Sequence, residues 1–194
     1  MRVFVTGATG YIGTEVLLEL RAAGHEVTGL ARSPGAEQTL QAAGFHVHRG
    51  DLDDLHSLRR GAAAADGVMH LAFKHDFANY EANGLADLRA IEAMGEALSG
   101  SEKPFVVTSG TLALTPGRVA TEEDIPDPEG PARPRVASEN AAIALAGRGV
   151  RSSALRLPPS VHGPGNHGFV VRLIALARQK GVSAMVGAGA NRWP

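Results

Sequence analysis

Gly7, Gly10 and Gly13 stand three residues apart, directly behind the apolar run Val3-Phe4-Val5 and ahead of the helix-like pattern Glu15-Val16-Leu17-Leu18. A diphosphate can rest on the free N–H groups of a helix N-terminus only where no Cβ intervenes. The spacing therefore reads as a phosphate-binding turn, with Gly7 making the tight turn, Gly10 admitting the phosphate and Gly13 letting helix pack on strand. Thr9, Tyr11 and Ile12 complete the candidate turn. A second strand over 26–32 closes a strand–turn–helix–strand unit of about 30 residues, the context such a turn requires. At the end of that strand an NAD site places an acidic residue to accept from the ribose 2′-hydroxyl. Here stands Leu30-Ala31-Arg32-Ser33, whose guanidinium fork and hydroxyl suit a 2′-phosphate. NADP is the expected cofactor in preference to NAD.

The elements that must position these residues alternate along the chain. Further stretches over 46–49, 67–73, 105–109, 153–157 and 183–186 read as strands. Between them, Leu85, Leu88, Ile91 and Leu98 mark one helical apolar face, and Val170, Leu173, Ile174 and Ala177 another. Such alternation predicts an α/β fold, a Rossmann-type doubly wound parallel sheet with helices on both faces. Ligands of such sheets bind beyond the carboxyl ends of the strands.

Composition bounds the function. The 194 residues are enough for one domain, and the absence of cysteine excludes disulfides and thiolate chemistry. A net charge of −1 with scattered basic residues gives no general attraction to nucleic acid or membrane. No apolar stretch reaches the ~20 residues of a membrane span. A soluble, cytoplasmic protein acting on a small molecule is expected. His46 and His48 alternate onto one strand face without matched acids or cysteines, so no metal site is expected.

The strand ends resemble those of the extended short-chain dehydrogenase/reductases, the NAD-dependent epimerase/dehydratase group. The matching pieces, in order, are the turn over 6–13, Gly50-Asp51-Leu52, His70-Leu71-Ala72, Thr108-Ser109-Gly110 and Leu155-Arg156-Leu157-Pro158-Pro159-Ser160-Val161-His162-Gly163-Pro164-Gly165. The resemblance implies that Asp51 and Leu52 hold the adenine, that Leu71, Ala72 and Phe73 line ribose and diphosphate, and that Pro158, Ser160 and Val161 touch the nicotinamide side. Thr108 joins them at the end of its strand.

The catalytic pair of that family, a tyrosine four residues before a lysine on one helix, is missing. In the family the lysine's charge lowers the phenol's pKa from about 10. Tyr11 and Tyr80 are the two tyrosines of the chain, and neither has a lysine four residues on. Counting from Thr108-Ser109-Gly110-Thr111 puts the pair on Arg135 and Glu139. A guanidinium cannot donate a proton at neutral pH, although it can polarise a carbonyl. One turn apart on one helix, Arg135 and Glu139 could also pair with each other. Thr111 is the candidate for the assisting hydroxyl. Asn83 stands where the resemblance puts an active-site asparagine, His162 where it puts a tyrosine, and Lys74 just past the fourth strand.

The proline-rich stretch 116–134, with Glu122-Glu123-Asp124, reads as a loop of restricted shape; the resemblance implies that it borders the substrate pocket, where it could act as a lid. Residues 1–165 are expected to form the dinucleotide-binding domain, and 166–194 the last helix and strand on the way into a substrate lobe that is largely missing. In relatives, the helices matching 78–98 and 136–146 mediate dimerisation, which implies a homodimer. Two functions are compatible with this reading: an NADP-dependent oxidoreductase or epimerase with a non-standard active site acting on a small carbonyl or sugar nucleotide, and a non-catalytic NADP(H) sensor.

Overall fold

The computed structural model describes residues 1–130, 132–165, 168–185 and 187–189. Among these, strands β1 (Arg2–Thr6), β2 (Glu26–Ala31), β3 (His46–Arg49), β4 (Gly67–His70), β5 (Pro104–Gly110) and β6 (Arg151–Leu157) form one sheet in the order β3-β2-β1-β4-β5-β6. Every pairing is parallel. The strand order reverses between β1 and β4, whose last residues, Thr6 and His70, are register partners. The Rossmann-type fold expected from the sequence is the fold observed.

Helices α1 (Tyr11–Ala22) and α2 (Pro34–Ala42) cover one face, and α3 (Leu55–Ala64), α4 (Tyr80–Leu98) and α5 (Arg133–Ala144) the other. The pleat sends alternate residues of β1 to opposite sides, so Val3 and Val5 pack with Leu17, Val27 and Leu40 while Phe4 packs with Leu58, Ile91, Met94 and Phe105. Each such fully buried side chain stabilises the fold by about 1.5–3 kcal/mol. α2 starts at Ser33, whose hydroxyl accepts from the Ala36 N–H at 3.2 Å, and α3 at Asp54, whose carboxylate accepts from the Ser57 N–H at 3.0 Å.

Close packing of α4 on α5 depends on small residues. A Cβ on Gly84 would lie 2.4 Å from Pro134 Cβ and 2.8 Å from its carbonyl oxygen. This near-contact of backbones sets the distance between Asp87, one turn further along α4, and Arg135 on α5.

Two expected strands end differently. β4 stops at His70 instead of running to residue 73, because the Leu71 N–H donates to the Thr6 carbonyl at 3.3 Å and the Ala72 N–H to the Thr6 hydroxyl at 3.3 Å, which draws the chain toward β1. Residues 183–185 form no strand. Ser-Ala-Met has weak strand preference, and this stretch pairs with no strand of the sheet. Val186, the start of the expected second unit at Asn166, and residues 190–194 lie outside the described residues. The predicted last helix is present as α6 (Phe169–Lys180), with Leu173, Ile174 and Leu176 exposed. No described helix is long and apolar enough to cross a membrane.

Gly84→Ala should lower the free energy of unfolding by about 1–3 kcal/mol through overpacking against Pro134, despite alanine's better helix propensity. Urea titration with an unchanged m-value would show it; a stabilised variant would contradict the close-packing argument.

Candidate active site at the strand-order switch

The turn after β1 has the form its residue types suggested. Gly7 has φ +70°, and a Cβ on it would strike the Leu71–Ala72 backbone at 2.8–2.9 Å. A Cβ on Gly13 would fall 2.0 Å from the Gly7 carbonyl oxygen. The first turn of α1 thus lies directly on the turn that precedes it. Gly10 is the N-cap residue, no side chain caps α1, and its first turn carries no acidic residue. N–H groups without a side-chain cap at the switch point suit the diphosphate of a dinucleotide.

The other residues expected at a cofactor lie at or just past the carboxyl ends of the strands. Thr9, Tyr11 and Ile12 belong to the turn and the start of α1, and a Cβ on Gly163 would come within 2.5 Å of the Tyr11 hydroxyl. Arg32 is exposed just past β2, beside the Ser33 cap. Asp51 accepts from the Asp53 N–H at 3.0 Å, and Leu52 is buried against the core. Leu71, Ala72 and Phe73 leave the end of β4, while Pro158, Ser160 and Val161 follow β6. Lys74 forms an ion pair with Asp53 at 2.6 Å, joining the β4 and β3 ends. His46 pairs with Glu26 at 3.3 Å and His48 with Ser57 at 2.9 Å, so the two histidines serve separate contacts. An apolar cleft of about 570 Å³ runs along α1 from Tyr11 to His25, and only its Tyr11–Ile12–Val161 end adjoins the turn.

A buried polar network underlies the site. Thr6 Oγ1 accepts from the Ala72 N–H and lies 2.7 Å from His70 Nδ1, while His70 Nε2 reaches Asp87 Oδ1 at 3.1 Å. His70 is 1% exposed and Asp87 2%. The second carboxylate oxygen of Asp87 lies 3.2 Å from Arg135 Nη1. Arg135 Nη2 donates to the Thr108 carbonyl, and the guanidinium stacks over the Phe73 ring at 4.2 Å. Thr108 Oγ1 in turn donates to the His70 carbonyl at 3.1 Å. Burial pushes the Asp87 carboxyl upward, but the His70 hydrogen bond and the charges of His70 and Arg135 outweigh it and hold the group below its ordinary range.

Arg135 and Glu139, placed together on α5 by their spacing, turn to different partners. Glu139, 1% exposed, receives Arg156 Nε at 2.9 Å and Nη2 at 2.6 Å. The same Arg156 donates to the Asp124 carbonyl at 2.8 Å and the Thr121 carbonyl at 3.4 Å. An ion pair between Arg135 and Glu139 does not form: both face inward, where each charge takes a partner from another element. The proline-rich loop is likewise tied down, since Asp124 also accepts from the Thr121 N–H and pairs with Arg118, and the Asp127 N–H donates to the Ala113 carbonyl at 2.7 Å. Thr111 sits past β5 with its hydroxyl 3.5 Å from the Leu157 carbonyl. Asn83 donates to the Asp76 carbonyl at 2.9 Å, pinning the turn between β4 and α4. His162 is exposed past β6.

The sequence pattern of the NAD dependent epimerase/dehydratase family matches residues 3–194. The chain belongs to this family. An uncharacterized protein of Schizosaccharomyces pombe is 49% identical over 196 residues, covering 100% of this chain and 65% of that protein. The 2-alkyl-3-oxoalkanoate reductase of Stenotrophomonas maltophilia is 28% identical over 99% of this chain and 60% of its own length. Among solved structures, MoeE5 in complex with UDP-glucose and NAD superimposes with a TM-score of 0.72 at 30% identity, covering 90% of this chain and 60% of that one. The chain spans about 65% of the length of the first two curated relatives it matches.

Sequence reading missed His70, Asp87 and Arg156 as site-forming residues. A signal for Asp87 exists: it interrupts the buried stripe Gly84, Ala90, Ile91, Met94 of α4, where a charge must have a partner.

Two outcomes follow. Glu139→Ala leaves Arg156 without its carboxylate and should cost about 3–5 kcal/mol in urea unfolding at pH 7; a loss under ~1 kcal/mol would mean the pair is solvated. Because folding lowers the Asp87 pKa, its contribution is full above the unfolded value of about 3.9 and is lost as pH falls through the folded one. The acid slope of stability below pH ~4 should therefore flatten in Asp87→Asn, and an unchanged slope would remove Asp87 from the account.

Proposed function

We propose that the protein is an NAD(P)-dependent oxidoreductase or epimerase acting on a small carbonyl or sugar-nucleotide substrate, with NADP preferred. The observation that carries this reading is the glycine turn, whose Cβ-free approach and uncapped α1 N-terminus meet the ends of β1 and β4. Reductase activity in one relative and NAD with UDP-glucose in one neighbouring structure support it. When bound, the nicotinamide supplies a hydride donor or acceptor.

The chain's residues divide the work around it. Gly7, Thr9, Gly10 and Gly13 hold the diphosphate, with Tyr11 and Ile12 beside it. Asp51 and Leu52 take the adenine side, Leu71, Ala72 and Phe73 the ribose, and Thr108, Pro158, Ser160 and Val161 the nicotinamide side. Arg32 and the Ser33 hydroxyl receive the 2′-phosphate. Thr111 and Arg135 orient the substrate oxygen at the end of β5, and Glu139 holds Arg156 and the loop beside it in place.

Calorimetric titration with NADP+ and NAD+ tests the reading. NADP+ should bind at least ~10-fold tighter, and Arg32→Ala should weaken it by about 10–100-fold, as expected for a lost hydrogen bond to a charged group of about 1.5–3 kcal/mol. Equal or tighter NAD+ binding would overturn the preference, and no binding of either would overturn the reading. NADPH binding without turnover on a panel of aldehydes, ketones and sugar nucleotides would mark a sensor.

A further inference from the structure

Hydride transfer to or from an alcohol carbon leaves a hydroxyl proton to be moved, and the α5 charges are committed elsewhere. Arg135 is held by Asp87 and the Thr108 carbonyl, Glu139 by Arg156, and a guanidinium does not titrate at neutral pH. Three other side chains gather at the carboxyl end of β4. The Phe73 ring carries Arg135 on one face, His75 meets it edge-on at 5.2 Å, and Tyr80 edge-on at 5.9 Å. His75 is reachable from solvent, in contrast to His70 beneath it. The turn that presents it is fixed: Asn83 donates to the Asp76 carbonyl, and the Asp76 carboxylate accepts from the Ala78 N–H at 3.1 Å and from the Asn79 amide at 2.8 Å.

We propose that His75 is the group that accepts the substrate hydroxyl proton in oxidation and returns it in reduction. The inference rests on the oxidoreductase reading above. As an alcohol is oxidised, the C–H electron pair leaves as hydride, for which the nicotinamide dinucleotide is the oxidant. The O–H proton passes to the imidazole, and the electron pair it leaves on oxygen becomes the second carbonyl bond. His75 then releases the proton to water.

The surroundings match this task. Partial burial, then the charge of Arg135 from α5 and, more weakly, that of Arg172 from α6, push the imidazole below its ordinary pKa, against a hydrogen bond with the Phe73 backbone that raises it. At pH 7 it is therefore in the base form. Tyr80 from α4 is pushed the other way by burial, with Asp87 and Glu81 adding and Arg135 opposing, so its phenol keeps its proton.

The test combines imidazole NMR with pH-dependent rates on the full-length protein. The His75 signal, assigned by its loss in His75→Ala, should titrate below the ordinary ~6.5, and Arg172→Gln, at an exposed position, should move the midpoint upward. In alcohol oxidation, kcat/KM should fall below that same midpoint and follow it in Arg172→Gln. His75→Ala should lower kcat by about 10²–10⁴-fold with dinucleotide Kd unchanged, and added imidazole should restore part of the rate. A midpoint at or above the ordinary value, undiminished kcat in His75→Ala, or an acid limb that ignores the NMR midpoint would overturn the assignment while leaving the oxidoreductase reading intact. Failure of the wild type to bind either dinucleotide would overturn that reading and the role of His75 with it.

Discussion

The carboxylate of Asp87 lies in the interior, where an ionised group costs several kcal/mol unless charge and hydrogen bonds match it. It is matched twice, by His70 on one oxygen and Arg135 on the other. Those partners come from β4 and α5, so one group fixes a strand and two helices against each other. His70 extends the connection to Thr6 at the end of β1, and Arg135 extends it to the Thr108 carbonyl in β5. The carboxyl ends of β1, β4 and β5 are thereby held by a single network, and the strand-order switch lies within it. The Gly84–Pro134 approach is the steric condition for it, because a wider α4–α5 spacing would carry Arg135 away from Asp87.

Above the network the backbone does the positioning. The Thr6 hydroxyl belongs to both layers, facing His70 below and accepting from the Ala72 N–H above. Ala72 is also where a Cβ on Gly7 would collide. Location of the glycine turn and orientation of the buried histidine are consequently coupled through one short hydroxyl. α2 and α3 have their first N–H groups partly satisfied by Ser33 and Asp54. No side chain does this for α1, which starts directly behind the glycine turn at the end of β1.

Much of this was legible in the sequence, and the limits have physical reasons. The glycine spacing and the strand patterns predicted β1 to β6 and the tight turn after β1, because period and glycine content are local properties of the chain. Of the strand expected over 183–186, the described residues 183–185 form none, because a run without a pairing partner has no ladder to join. Partners of buried charges are not local: His70 and Asp87 are 17 residues apart, as are Glu139 and Arg156. The i,i+4 spacing allowed Arg135 and Glu139 to pair with each other. Such a pair on a solvated helix face is worth only ~0.2–0.5 kcal/mol. On an inward face each charge faces a desolvation cost of several kcal/mol and takes whatever partner meets it across the packing. Membership in a helix says little about which partner that is.

The arginine and glutamate of α5 are opposite charges on one inward-facing side of the helix. Each is matched from outside the helix, Arg135 by Asp87 and Glu139 by Arg156. Matched in this way, they tie α5 to α4 through Asp87 and to β6 and the loop at Thr121 and Asp124 through Arg156. The turn after β4 is differently built. It places an aromatic face, an imidazole and a phenol next to the matched cation, on backbone held by Asn83 and Asp76. A cation that cannot give up its proton still acts on neighbours that can: its field favours the uncharged form of an imidazole and the charged form of a phenol. Arg135 thus acts on the imidazole of His75 and the phenol of Tyr80 at the β4 end even though its own proton stays in place.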